Sequence, residues 1–179
     1  MAGANRAALQ EVEHARASFA LASAYAGRSL GPGPLATAGL GLGAVDLVSV
    51  AAAATREGCV EETLAAAEAA GAESRASVPA VRWVLGTIAR EEREHAALAY
   101  RFVRWACGVG GPPVRDAIER AFREALAACR ADRMLSSPAA TDDFELEPHG
   151  RLAAATRRTL RDYVCNQVLE PSLRELVGG

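Results

Sequence analysis

The chain has 179 residues, half of them hydrophobic, and a formal net charge of −2 in which every basic side chain is an arginine. This near-neutral charge argues against nucleic-acid binding by bulk electrostatics, and no unbroken run of 18 apolar residues predicts a membrane span. Alanine, the strongest helix former, is the most frequent residue and aromatic residues make up only 5%, which argues against an all-β fold and against disorder.

Glycine and proline divide the sequence into helical segments. The first helix is predicted over residues 4–26 and ends beside Gly27. Residues 27–43 are predicted as a loop, because their repeated glycines and prolines do not sustain a helix. A second, alanine-rich helix is predicted over residues 44–74, with Asp46 in its first turn, where the positive end of the helix dipole favours a carboxylate.

Three more helices are predicted towards the C-terminus. They cover residues 78–107, 114–133 and 151–176. Pro79 fits the first turn of the third helix, where its missing N–H would have had no partner. Residues 134–150 are predicted as a loop, and Pro171 is expected to bend the last helix or to end it early. We expect all five helices to form one all-α domain over residues 1–179.

The first and third predicted helices share an E-x-x-H motif. It reads Glu11-x-x-His14 in the first helix and Glu92-x-x-His95 in the third. Residues three apart lie on one helix face about one turn apart, so a carboxylate and an imidazole can bind one metal ion. A single copy is more typical of a solvated charge beside a helix-edge histidine, whereas two copies within long helices favour a metal site.

The second helix lies between the two motifs and carries Glu57 and Glu62. A dimetal carboxylate bundle needs such glutamates from its other helices, in addition to two E-x-x-H pairs. At about 100° per residue, Glu62 shares its face with small side chains that leave room for an ion, and Glu57 lies about 140° away with Val60 and Leu64. We therefore predict Glu62 as the ligand, with Glu57 pointing elsewhere or orienting a ligating histidine.

Together these motifs resemble the ferritin-like superfamily, in particular bacterial ferritin-like proteins, rubrerythrins and tRNA-hydroxylating di-iron enzymes. Between the two E-x-x-H copies stands R-E-G-C-V-E-E-T, and the flanks FALASAYAGRSLGPGPL and LAYRFVRWA extend the similarity over most of residues 5–177. The resemblance implies a ferritin-like helical bundle of the first three helices with the additional C-terminal helices packed alongside. It also implies a metal site at Glu11, His14, Glu62, Glu92 and His95.

The resemblance further implies a helix ahead of the first motif that donates another glutamate. Only ten residues precede Glu11, so we expect that helix to be absent. Three glutamates then carry three negative charges against the four positive charges of two divalent ions. Three explanations stay open. A hydroxide or a carboxylate from outside the chain supplies the missing negative charge, only one metal ion binds, or the gene start lies further upstream. Glu147, His149 and Glu170 have no motif support as replacements.

Metal binding is the predicted function, with two iron ions in a complete site or manganese or zinc instead. Mixed carboxylate and imidazole ligation suits Fe(II) and oxygen chemistry. The resemblance implies a di-iron oxidoreductase, an oxidase or hydroxylase that uses oxygen or peroxide on an unidentified small molecule. Two alternatives stay open: a non-catalytic helical protein with a degraded or single-metal site, and an iron-handling or storage protein.

Partners and location are predicted from what the sequence lacks. Loss of one bundle helix would expose an apolar groove, so we expect a homodimer, with no nucleic-acid or membrane partner. The four cysteines form no C-x-x-C pair and the first residues lack the apolar core of a signal peptide. We therefore expect reduced thiols and a cytoplasmic protein.

Overall fold

The structure, a computed structural model, describes residues 2–34, 45–135 and 144–177, with only the backbone described for residues 131–135 and 177. All regular elements in this part of the chain are helical and it contains no strand, which confirms the all-α class. Within these ranges no helix has the length and apolar character needed to cross a membrane. The chain divides into two compact units, Met1–Val45 and Asp46–Gly179. The ferritin-like arrangement stays a prediction.

The first unit contains helix α1, Ala2–Ala26. Gly27 follows it with φ 62°, a left-handed conformation that ends helices and that glycine adopts without strain. The hydroxyl of Ser23 donates to the Phe19 carbonyl at 2.7 Å and accepts the Leu30 N–H at 2.9 Å, which holds the chain against the end of the helix. Among the described residues of α1, only His14 is buried.

The second unit begins with a continuous helical stretch of three parts. They are α2, Leu47–Ala53, a π-helical segment, Ala54–Glu61, and α3, Glu62–Arg75. Asp46 has an extended backbone and its carboxylate accepts the Ser49 N–H at 2.8 Å, so it caps the helix. The prediction that placed Asp46 within the first turn is therefore wrong by one position, and the predicted start at Ala44 lies outside the described residues.

Helix α4, Pro79–Leu135, contains both the third and the fourth predicted helices. Gly111 alone departs from helical geometry, with φ 64° and ψ −162°, and it kinks the helix ahead of Pro112 and Pro113. The predicted division into two helices at this stretch is confirmed, but the break is the single residue Gly111 and not the predicted six residues, because one glycine with positive φ is enough to redirect the chain. The N-terminal arm of α4 is residues 79–110, and its C-terminal arm is residues 112–135.

The predicted loop over residues 134–150 is wrong at both of its described ends. Helix α4 continues to Leu135, and a 3-10 helix covers Phe144–His149. The carbonyl of Pro148 accepts the N–H groups of Ser77 at 2.9 Å and Val78 at 3.4 Å. This segment therefore satisfies two backbone donors at the start of α4, a long-range interaction that local sequence does not reveal.

The C-terminal helical stretch also has three parts. They are α5, Ala154–Val164, a second π-helical segment, Cys165–Leu169, and α6, Glu170–Val177. Of the two effects expected of Pro171, an early end of the helix is wrong, because the helix continues for six residues beyond it. The π segment ends at Leu169, two residues before this proline, where a wider turn can accommodate the missing N–H.

The core of the second unit lies between α2 and α3, both arms of α4, and the C-terminal helices. Its largest fully buried side chains are Val60, Leu64, Val103, Ile118, Phe122 and Leu169. Burial of an aliphatic or aromatic side chain contributes about 1.5–3 kcal/mol, so this core fixes α4 against α3. Glu62 on α3 and Glu92 and His95 on α4 depend on that packing for their relative positions.

Candidate metal centre

Glu92 and His95 lie one turn apart on the N-terminal arm of α4, within the second unit. Both are buried, each with 7% of its surface exposed. His95 Nδ1 lies 3.1 Å from Glu92 Oε2. The i, i+3 spacing of the sequence motif therefore produces a carboxylate and an imidazole in direct contact in the protein interior.

Glu62 approaches the same histidine from α3. Its Oε2 lies 4.0 Å from His95 Nδ1, and its side chain is 29% exposed. Ligand atoms of Glu62, Glu92 and His95 all lie within 4.8 Å of one another. The structure thus brings three of the predicted site residues together in the second unit.

A glycine on the π segment allows this approach. A Cβ added at Gly58 would lie 2.4 Å from the Cβ of Ala99, closer than two carbon atoms can pack. Ala99 follows His95 by one helical turn on α4. The absence of a side chain at Gly58 therefore sets how closely the segment before Glu62 approaches the histidine.

The π segment itself decides which glutamate faces α4. Glu57 and Glu61 belong to it and are exposed, whereas Glu62 begins α3 directly after it. Hydroxyl groups at its two ends, Thr55 and Thr63, donate to carbonyls four residues earlier at 2.7 Å. These bonds occupy carbonyl groups where the helix changes its hydrogen-bond pattern. Nothing in the sequence analysis identified this π segment.

Cys59, within the R-E-G-C-V-E-E-T stretch, is fully buried in the core. Burial raises the pKa of its thiol to about 12. At neutral pH the thiol keeps its proton, and thiolates rather than thiols are metal ligands. The cysteine therefore belongs to the hydrophobic core rather than to the cluster of Glu62, Glu92 and His95.

The remaining two predicted ligands lie in the first unit, on α1. His14 Nδ1 lies 3.6 Å from Glu11 Oε1, so this E-x-x-H motif also forms a carboxylate–imidazole pair. His14 is buried, whereas the side chain of Glu11 is 53% exposed. That this pair contributes to the same metal as the cluster in the second unit stays a prediction.

The cluster of the second unit combines two kinds of ligand group. Two carboxylates, Glu62 and Glu92, flank a single imidazole, His95. Carboxylate oxygen and imidazole nitrogen are both donors to divalent transition-metal ions. The chemistry of the cluster therefore suits a bound cation.

The carboxylates without motif support have structural roles. Glu147 Oε1 accepts the Ala153 N–H at 3.1 Å, and its Oε2 lies 3.5 Å from Arg75 Nε. The hydroxyl of Thr156, the Ala153 N–H and the Arg75 charge lower the pKa of Glu147. Glu170 forms ion pairs with Arg130 and Arg174, and His149 is exposed.

Comparisons with protein-family models, with curated proteins and with solved structures find no match to this chain. The ferritin-like resemblance therefore stays a prediction from the motifs.

Proposed function

We propose that this protein binds a transition metal, iron or manganese, through Glu62, Glu92 and His95. The observation that carries the proposal is the convergence of two carboxylates on one buried imidazole. Neutral imidazole and carboxylate oxygen are the donors that non-haem iron and manganese proteins use. A bound divalent ion would be attracted by both carboxylates of the cluster.

The distances suit ligands of a single ion. Glu92 Oε2 and Glu62 Oε2 lie 3.1 Å and 4.0 Å from His95 Nδ1. Two ligands at 2.0–2.2 Å from one ion can be at most about 4.4 Å apart, so both pairs fit without a backbone movement. Three protein ligands also leave coordination positions open for water or a substrate.

Open positions beside a redox-active metal support a catalytic role. Bound iron would supply the oxidation or hydroxylation chemistry, with oxygen or peroxide, that the ferritin-like resemblance implies. In such a centre Glu92 and His95 hold the ion from the buried side, while the partly exposed Glu62 lies nearer solvent. Participation of Glu11 and His14, and with it a second iron, is part of the same proposal.

A non-catalytic role is the alternative that one observation favours. The 3.1 Å contact between His95 and Glu92 is also a normal length for a buried hydrogen bond that stabilises helix packing. A structural pair of this kind would function without metal. Metal content therefore separates the two functions.

The experiment is anaerobic loading with Fe(II), removal of unbound iron and elemental analysis. We expect wild-type protein to retain iron, and His95→Ala and Glu92→Gln to bind at least about tenfold more weakly, since even outer residues of metal sites change affinity by that factor. Glu57→Gln and His149→Ala are matched controls, because both residues are exposed and lie outside the cluster. Equal iron content in wild-type and His95→Ala protein would overturn the proposal.

Two further measurements define the function more closely. His14→Ala reports whether the first unit contributes ligands, through a change in the iron-to-protein ratio. Oxygen consumption and iron content with excess Fe(II) distinguish the remaining roles. An oxidase consumes oxygen over repeated turnovers, and a storage protein accumulates more than two iron ions per chain. An inert metal-binding protein does neither.

A further inference from the structure

Two cysteines from distant parts of the sequence meet in the core of the second unit. Cys129 belongs to the C-terminal arm of α4 and Cys165 begins the second π segment. Their Sγ atoms lie 2.9 Å apart, and both residues are free thiols with 9% and 2% of their surface exposed. Among the described residues, no other pair of cysteines makes a thiol–thiol hydrogen bond.

We propose that Cys129 and Cys165 are a redox-active thiol pair that a small oxidant, hydrogen peroxide, converts into a reversible disulfide. A disulfide bond is about 2.05 Å long, so the sulfur atoms need to approach by less than 1 Å. A peroxide molecule is small enough to react with a thiol that is nearly buried. Helix α4 and the C-terminal helices would then be covalently joined.

Positively charged side chains lie near the thiol pair. The Arg161 guanidinium lies beside Cys129, and Glu68 holds it through a 2.7 Å ion pair. Burial and the neighbouring Cys129 thiol raise the pKa of Cys165 to about 12, and the positive charges of Arg161 and Arg130 oppose that shift. A positive charge beside a thiol pair favours the thiolate that reacts with an oxidant.

Reaction with peroxide proceeds in two balanced steps. One thiol of the pair loses its proton, and its thiolate attacks one oxygen of hydrogen peroxide; the O–O bond breaks, a sulfenic acid forms, and the leaving hydroxide takes up the released proton to give water. The sulfur of the second thiol then bonds to the sulfenic sulfur, the S–O bond breaks, and the hydroxyl group leaves with the proton of the second thiol as another water. Two thiols are oxidised by two electrons, and one peroxide is reduced to two molecules of water.

Counting free thiols tests the proposal, because the two other cysteines of the chain, Cys59 and Cys107, are internal controls. Metal-free protein is treated with hydrogen peroxide, quenched, unfolded and titrated for free thiols. We expect the count to fall from four to two, to return to four with dithiothreitol, and peptide mass spectrometry to join Cys129 to Cys165. Cys59 and Cys107 are also buried free thiols, but among the described residues only Cys129 and Cys165 form a thiol–thiol hydrogen bond, so Cys59 and Cys107 should remain reduced.

Single substitutions make the result decisive. Cys129→Ser and Cys165→Ser should each prevent the disulfide, whereas Cys59→Ser should leave it unchanged. Arg161→Gln should slow thiol loss at neutral pH without changing the final count of two. If a core variant fails to fold, peptide mass spectrometry of the oxidised wild-type chain still shows which two cysteines are joined. Linkage through Cys59 or Cys107, or four thiols remaining at peroxide levels that fully oxidise free glutathione, would overturn the proposal.

Discussion

Charge at a single buried residue, Glu92, gives a prediction that separates folding from metal binding. Glu92→Gln removes one of two carboxylates that compete for His95 while it keeps the side-chain shape. We expect the metal-free variant to unfold at about the same temperature as wild type, because glutamine also keeps an oxygen that can form a hydrogen bond. Added metal should stabilise wild type by about 2.7 kcal/mol at a hundredfold excess over the dissociation constant, and the variant by much less.

The measurement is thermal unfolding with and without Mn(II), which does not oxidise in air on the time scale of the scan. Glu57→Gln makes the same change of charge at an exposed position and should respond to metal as wild type does. If Glu92→Gln gained as much stability from the metal as Glu57→Gln, the buried carboxylate would not be a ligand.

Glu147 gives a second prediction at the residue scale, through pH. Its pKa is lowered in the folded protein by Thr156, Ala153 and Arg75. A group with a depressed folded pKa stabilises the protein above its unfolded pKa and loses that contribution as the pH falls through the folded value. We expect Glu147→Gln to lose about 1 kcal/mol at pH 7, from weakened charged hydrogen bonds, and much less in acid, once Glu147 of the folded wild type has bound a proton.

Urea unfolding at pH 7 and in acid measures the difference. Glu145→Gln is the control, because Glu145 lies on the same 3-10 segment and is exposed. A loss of stability for Glu147→Gln that is equal at both pH values would mean that its contribution comes from packing rather than from charge.

At the scale of elements, the contact between the first π segment and α4 gives a third prediction. Gly58→Ala would place a Cβ 2.4 Å from the Cβ of Ala99, which forces the two helical stretches apart. We expect a loss of about 1–3 kcal/mol, as for other overpacked cores, together with weaker metal binding because Glu62 moves with the segment. Thermal unfolding and iron content measure the two effects.

Gly108→Ala is the matched control. Gly108 is a helical glycine on α4 with nothing within 4 Å of an added Cβ. The same substitution there should raise stability by up to about 1 kcal/mol through helix propensity. Similar effects at both glycines would contradict a special role for the contact between Gly58 and Ala99.

Elements were predictable from the sequence where the signal is local. Glycine and proline marked the ends of most helices, and the kink at Gly111 lies within the predicted break between two helices. The rotation of 100° per residue fails across Ala54–Glu61, because a π segment has more residues per turn. It placed Glu57 with Val60 and Leu64, yet those two are buried and Glu57 is exposed.

The candidate site, like the helices, was predictable only where its geometry is local. Spacing of three residues placed Glu92 beside His95, since that geometry belongs to any α-helix. The 3-10 helix over Phe144–His149 was not predictable, because its role depends on a backbone bond to residues far earlier in the chain. Long-range partners of this kind leave no periodic pattern in the sequence.

At the scale of the whole molecule, exposed apolar side chains give the prediction of a homodimer. Helix α1 leaves Leu9 69% and Tyr25 57% exposed, and Trp83 and Trp105 on α4 are 71% and 55% exposed. A second copy of the chain can cover exposed apolar side chains of this size, and two-fold homodimers are the commonest assembly of soluble chains. We expect a mass of about 37 kDa in solution, twice the 18.7 kDa of one chain.

Size-exclusion chromatography with light scattering measures that mass. Leu9→Glu should shift the equilibrium towards single chains, because it places a charge in the covered surface. Asn5→Glu adds the same charge at an exposed polar position of the same helix and should leave the mass unchanged. A wild-type mass of 18.7 kDa at all concentrations tested would contradict the dimer.

The bond from Ser77 to the carbonyl of Pro148 has a consequence for synthesis on the ribosome. The two residues are 71 positions apart, so the start of α4 is made long before its backbone acceptor. At about 5–20 residues per second, translation of that interval takes about 4–14 seconds. For that time the N–H groups of Ser77 and Val78, directly before the helix that carries Glu92 and His95, are without their backbone acceptor.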